Sequence, residues 1–144
     1  MCVPFIIGDN MDKYMEIALK EAKKALKTDD VPVGAVIVEN GKIIAKAHNT
    51  KEKKKIVTRH AEINAVEKAC KKKKNWYLND CEMYVTLEPC KMCMGALEQA
   101  RIKKVIYAAP RDKIDNLKKP EVKQGKGVEN SQELLKFFFK NKRK

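Results

Sequence analysis

His60, Cys90 and Cys93 are the residues that most restrict what this chain can fold into. An imidazole nitrogen and two thiolate sulfurs suit a borderline-soft ion such as Zn²⁺. For all three to share one ion, segments thirty residues apart must meet at a point. The flanking sequence says how. Met83-Tyr84-Val85-Thr86-Leu87 reads as a buried strand. Pro89 is tolerated at a helix start, where its missing N–H costs nothing. Cys90 and Cys93 then share one face of the helix that follows. His60 opens a second helical pattern to about Lys72, with Ile63, Val66 and Ala69 or Cys70 expected on its buried side. Two helix N-termini converge, and their dipoles favour the thiolates that a metal requires.

Three protein donors leave a fourth position for water, which is the catalytic arrangement of zinc rather than the structural one. Glu62, two residues after His60, is near enough to move protons on that water without binding the ion. A bare C-x-x-C after a strand also reads as a redox pair. The joint order His60, Glu62, strand, Pro89, Cys90, Cys93 favours the metal. His48 is a fourth donor by type, and Cys70 and Cys81 are further candidates. Their distance from the motif fits buried structural cysteine better.

The 144 residues make one domain, 1–144, long enough for a real core. Residues 1–10 carry Val3-Pro4-Phe5-Ile6-Ile7 but neither the basic start nor the cleavage site of a signal peptide. They are expected to be a loose extension, with Met11 an alternative start. No run is long enough to span a bilayer. With two of five cysteines given to metal, Cys2, Cys70 and Cys81 are free thiols, the expectation for a cytoplasmic protein. A net charge of +13 suits a polyanionic partner. The excess is nearly all lysine, so a lysine-rich composition with solvated side chains would give the same total.

Taken in order, Asp12 caps a first helix to about Lys27, with Met15, Leu19, Ala22 and Leu26 at helical spacing. Val33–Val38 is a nearly all-apolar strand, Asn40-Gly41 a hairpin turn and Lys42–Ala47 the returning strand. His48 and Asn49 close that strand. Asn49 is either an ordinary turn residue or a side chain facing a pocket. Thr50–Thr58 is expected as a lysine-rich loop, solvated or guiding a phosphate backbone. Trp76, Tyr77 and Leu78 are expected in the core. Val105–Ala109 is a strand parallel to its neighbour. Pro110–Asn130 is a polar loop with one short strand near Val122. Ser131 caps a last helix with Leu134, Leu135, Phe138 and Phe139 on its apolar side. That helix and its basic tail, 131–144, are either docked on the core or an arm for nucleic acid.

From about Met11 onward the chain resembles the bacterial tRNA-specific adenosine deaminases of the cytidine-deaminase-like fold. The resemblance is carried by Val31–Val38, His48-Asn49, His60-Ala61-Glu62, Tyr84–Cys93 and the Leu134–Lys140 ending. It implies an α/β three-layer sandwich, a five-stranded mixed sheet with helices on both faces, assembled as a homodimer. It implies one Zn²⁺ per chain and conversion of the flipped wobble adenosine of a tRNA anticodon loop to inosine. By position, Asn49 would contact the flipped nucleotide, Val31 and Leu87 would wall the base pocket, and Phe138 and the basic tail with Arg143 would lie against the anticodon loop. The chain departs from the family in reading Ile56-Val57-Thr58-Arg59 before the histidine, and in lacking the glycines that usually follow the Ala109–Lys113 segment. A free-base deaminase of cytosine or guanine type and a non-catalytic zinc-containing RNA-binding subunit are the alternative readings.

Overall fold

In the computed structural model, which describes residues 12–110 and 121–142, the Asp12 carboxylate accepts from the Tyr14 amide at 2.8 Å and caps helix α1, Lys13–Ala25. A single 3₁₀ turn, Leu26–Thr28, extends it. Strand β1, Gly34–Glu39, returns antiparallel as β2, Lys42–His48. Asn40 and Gly41 both take positive φ, 50° and 79°, which a two-residue turn of matching twist demands. Helix α3, Ala61–Lys73, leads to strand β3, Cys81–Leu87. Helix α4, Lys91–Gln99, then leads to β4, Lys104–Ala109. Strand β5, Glu121–Gln124, and helix α5, Val128–Lys142, complete the described chain.

Among the described residues the sheet has five strands in the order β2-β1-β3-β4-β5. The pairs β2/β1 and β1/β3 are antiparallel, while β3/β4 and β4/β5 are parallel. The expected mixed sheet is therefore present. The apolar run of β1 is explained by burial on both faces. Ala35 and Ile37 join Met83, Val85 and Val105 under α3 and α4. Val36 and Val38 join Tyr84, Ile106 and Ala108 under α1.

Small residues set the helix-to-sheet spacing on both faces. A Cβ on Gly34 would stand 2.0 Å from the Ala18 carbonyl oxygen, so α1 crosses β1 at backbone contact. On the other face α3 packs through Ala61, Ala65 and Ala69. Of the residues expected on that face, Ala69 is buried and Val66 and Cys70 are partly buried and packed against the core, while Ile63 is only partly buried, because the alanine stripe makes the closest approach to the sheet.

Other expectations are corrected. Thr50–Thr58 is not all loop: Lys51–Lys54 form a short helix, α2. Its start is held by buried Asp30, whose carboxylate accepts from the Glu52 amide and, at 3.3 Å, from the Lys53 amide. Trp76 and Tyr77 are not core. They are 57% and 41% exposed and stack on each other with centroids 4.3 Å apart, and only Leu78 is buried. Ser131 does not cap α5, which begins at Val128 after Gly127 at φ 98° and leaves Ser131 buried in its first turn. The expected strand near Val122 is present as β5. Cys2, Arg111–Lys113 and Arg143 lie outside the described residues.

Candidate active site

His60 is the N-cap of α3 and Cys90 the N-cap of α4, so two helix starts meet as the spacing of the motif requires. Pro89 falls one residue before the cap rather than inside the helix. The His60 Nδ1 lies 3.7 Å from the Cys90 sulfur and 3.4 Å from the Cys93 sulfur. All three donor atoms lie within 4.8 Å of one another, a group able to hold a metal ion. Bond lengths of about 2.3 Å to sulfur and about 2.0 Å to nitrogen put the N and S donors of a tetrahedral zinc about 3.5 Å apart. The observed separations match that requirement.

The two sulfurs are coupled by a hydrogen bond that pushes them in opposite directions. The hydrogen bond from Cys93 is the main cause that holds the Cys90 thiol down to about 3, against burial and with help from His60. The same bond, then burial and the nearby Glu62 carboxylate, push Cys93 upward. Glu62 is 2% exposed and within hydrogen-bond reach of the Cys93 sulfur, yet stands outside the donor trio.

A cavity of about 330 Å³ opens onto His60 and Glu62, while Cys90 and Cys93 stand behind its lining. Its lining includes His60, Glu62, Asn49, Val31 and Leu87, so five of the residues singled out from sequence share one wall system. Val33, Lys51, Ala61, Leu135 and Phe139 complete it, and sequence reasoning missed them. The available signal was the i, i+4 pair Leu135 and Phe139, which one face of a helix must present together. Phe138 is buried and lines an adjoining cavity of about 470 Å³ with Asp29, Val31 and Asn49. It packs edge-on beneath Phe139, ring centroids 5.0 Å apart.

The polar walls are fixed by a small network. Asn49 Nδ2 donates to the Val31 carbonyl at 3.2 Å, and its Oδ1 accepts from the Lys51 amide at 3.0 Å. Asn64, one turn after His60, donates to the His48 carbonyl and the Thr50 hydroxyl, both at 2.9 Å, and accepts from Arg59 at 3.1 Å. His48 is no part of the donor trio: its Nδ1 faces Glu21 Oε1 of α1 at 3.1 Å. Cys70 and Cys81 also stand outside the trio, and burial pushes the Cys81 thiol up to about 11.

Residues 9–143 match the family described as MafB19-like deaminase. A tRNA-specific adenosine deaminase of Aquifex aeolicus (strain VF5) is 52% identical over 96 residues, 67% of this chain and 64% of that protein. The Bacillus subtilis (strain 168) protein of the same name is 49% identical over 96 residues, 67% of this chain and 60% of its own length. The chain thus spans less than two thirds of these curated relatives. A solved structure from work on A-to-I editing by tRNA:A34 deaminases superposes with TM-score 0.81 at 36% identity, covering 85% of this chain and 99% of that one. A guanine deaminase of Bacillus subtilis superposes with TM-score 0.66 at 40% identity over 70% of this chain and 65% of its own. This chain belongs to the MafB19-like deaminases and, among them, to the tRNA-specific adenosine deaminase family.

Proposed function

We propose that the protein hydrolyses the exocyclic amine of the wobble adenosine in a tRNA anticodon, giving inosine and ammonia. The observation that carries this reading is the meeting of His60, Cys90 and Cys93 within 4.8 Å beside buried Glu62, at the 330 Å³ cavity. One Zn²⁺ per chain fits the donor set and would supply Lewis-acid activation of the attacking water.

The rest of the chemistry belongs to the chain's own residues. Glu62 accepts a proton from the attacking water and passes it to ring nitrogen N1 as oxygen adds to C6. It then takes the second proton from the hydroxyl now on C6 and gives it to the amine, which leaves as ammonia as the C6–N bond breaks and the C6 carbonyl forms. Its burial matters, because a carboxylate shielded from water exchanges protons with the substrate rather than with solvent. Val31 and Leu87 bound the purine on apolar sides. Asn49, already held by Val31 and Lys51, keeps one amide hydrogen and one lone pair for the nucleotide. Phe139, with Phe138 packed against it edge-on, meets the anticodon loop at the cavity mouth; Arg143, outside the described residues, would add positive charge for that loop's phosphates. A base inside a duplex cannot reach this cavity, so the substrate is an unpaired loop nucleotide.

The dimer suggested by the resemblance fits the half-exposed Ile56, Val57 and Met92, which flank the two ligand-bearing segments. We place the enzyme in the cytoplasm, where its described cysteines stay reduced. The similarity to a guanine deaminase favours a second reading, a free-base deaminase. Product analysis by mass spectrometry on tRNA and on free guanine, side by side, separates the two. Inosine in tRNA supports the proposal; xanthine with unmodified tRNA overturns it.

A further inference from the structure

A second cavity, about 500 Å³, borders the other side of α2. Residues Lys53, Lys54, Arg59, Lys68 and Lys71 line it, against the single carboxylate of Glu67. That carboxylate is already paired with Arg59 at 2.6 Å. Among the described residues, Lys53, Lys54 and Lys71 form no ion pair. An anion entering the cavity therefore meets charge that no protein group neutralises.

The cavity also shares a scaffold with the active site. Helix α2 presents Lys51 to the active-site cavity and Lys53 and Lys54 to the basic one. Asn49 lines the active-site cavity, and Thr50, its neighbour in sequence, lines the basic one. Arg59 precedes the donor His60, and Asn64 ties Thr50 and Arg59 together. A strand that leaves the active-site cavity across this short partition would carry its adjoining phosphate into the basic cavity.

We propose that the cavity bounded by Lys53, Lys54, Arg59, Lys68 and Lys71 is a phosphate-binding groove for the RNA strand adjoining the flipped nucleotide. The proposal rests on the RNA reading of the active site. A positively charged groove beside an unpaired base is how sequence-tolerant proteins track a backbone. Each phosphate contact on a single strand contributes about 0.7 to the slope of log affinity against log salt.

The test compares two charge-matched variants. One is Lys53→Gln/Lys54→Gln/Lys68→Gln/Lys71→Gln. The other is Lys13→Gln/Lys20→Gln/Lys23→Gln/Lys103→Gln, four exposed lysines away from both cavities. Binding of an anticodon stem-loop RNA is followed by fluorescence anisotropy across a salt series, with inosine measured in the same samples and folding checked by circular dichroism. The groove variant is expected to lose about 2 to 3 from the salt slope and to bind about tenfold or more weaker at low salt. The comparison variant should keep both values near wild type. Equal losses in the two variants would overturn the groove and leave net charge as the cause. No loss in the groove variant, with wild-type inosine formation intact, would also overturn it. Loss confined to the groove variant in a protein that makes no inosine would sustain the groove and reject the proposed reaction. Competition by inorganic pyrophosphate with no RNA effect would assign the cavity to a free anion and overturn the backbone role.

Discussion

The residues that carry the chemistry are held by others that do not touch the substrate. Asp30 is the clearest case. It is fully buried, accepts the Thr28 hydroxyl at 2.6 Å and caps α2 through two amides. Asp30→Ala should cost about 2 kcal/mol, since it leaves buried donors unmet. It should also raise KM for RNA by loosening the segment that bears Asn49 and Lys51. Chemical denaturation and steady-state kinetics check the two effects; an unchanged midpoint would refute the capping role. Asp30 was not legible as such in the sequence, where Thr28-Asp29-Asp30 reads only as a helix ending. Its partners lie about two dozen residues away, and no local pattern announces them. The catalytic group was legible for the opposite reason. His60 to Glu62 and Cys90 to Cys93 are spacings within single helix turns, so sequence distance translates directly into geometry. Trp76 and Tyr77 misled because hydrophobicity next to a strand suggests burial, whereas here the two rings cover each other.

At the scale of elements, the contact between α1 and the hairpin decides how the sheet edge is held. Gly34→Ala would force its Cβ into the Ala18 carbonyl and the α1 backbone. Backbone cannot yield as a flexible side chain does, so the expected loss is about 1–3 kcal/mol, read as a fall in thermal midpoint. Stability unchanged by that substitution would mean that α1 sits farther from β1. The same helix reaches β2 through Glu21, which meets His48 at 3.1 Å and Lys24 at 2.7 Å. Burial raises the Glu21 pKa, but hydrogen bonds from Lys24 and His48 outweigh it and leave the carboxyl below its ordinary value of 4.5. A lowered folded pKa stabilises the fold above the unfolded value, and that part is lost as pH falls through the folded one. Wild type should therefore lose more stability than Glu21→Gln as pH falls from above 4.5 through the lowered folded value. Parallel urea titrations that coincide at every pH would contradict it. The strands were readable from apolar runs and turn chemistry. The close approach at Gly34 was not, because only the partner helix reveals it.

In the whole molecule, two apolar layers on opposite faces of one sheet carry the fold, and the donor trio sits at the end where α3 and α4 begin. Stripping the metal with a chelator should abolish turnover while far-ultraviolet circular dichroism keeps its native form, and zinc should restore the rate. Collapse of the helical signal on chelation would show instead that the ion is structural. Lysine charge acts at this scale too: with +13 overall, RNA affinity should fall steeply with salt, and a flat response would leave the lysines as solvated surface. The most direct test of the central claim is nucleoside mass spectrometry of tRNA treated with zinc-loaded wild type and with Glu62→Gln. The account predicts inosine from wild type and none from Glu62→Gln at equal zinc content and equal stability. Inosine formed by Glu62→Gln at the wild-type rate would contradict it.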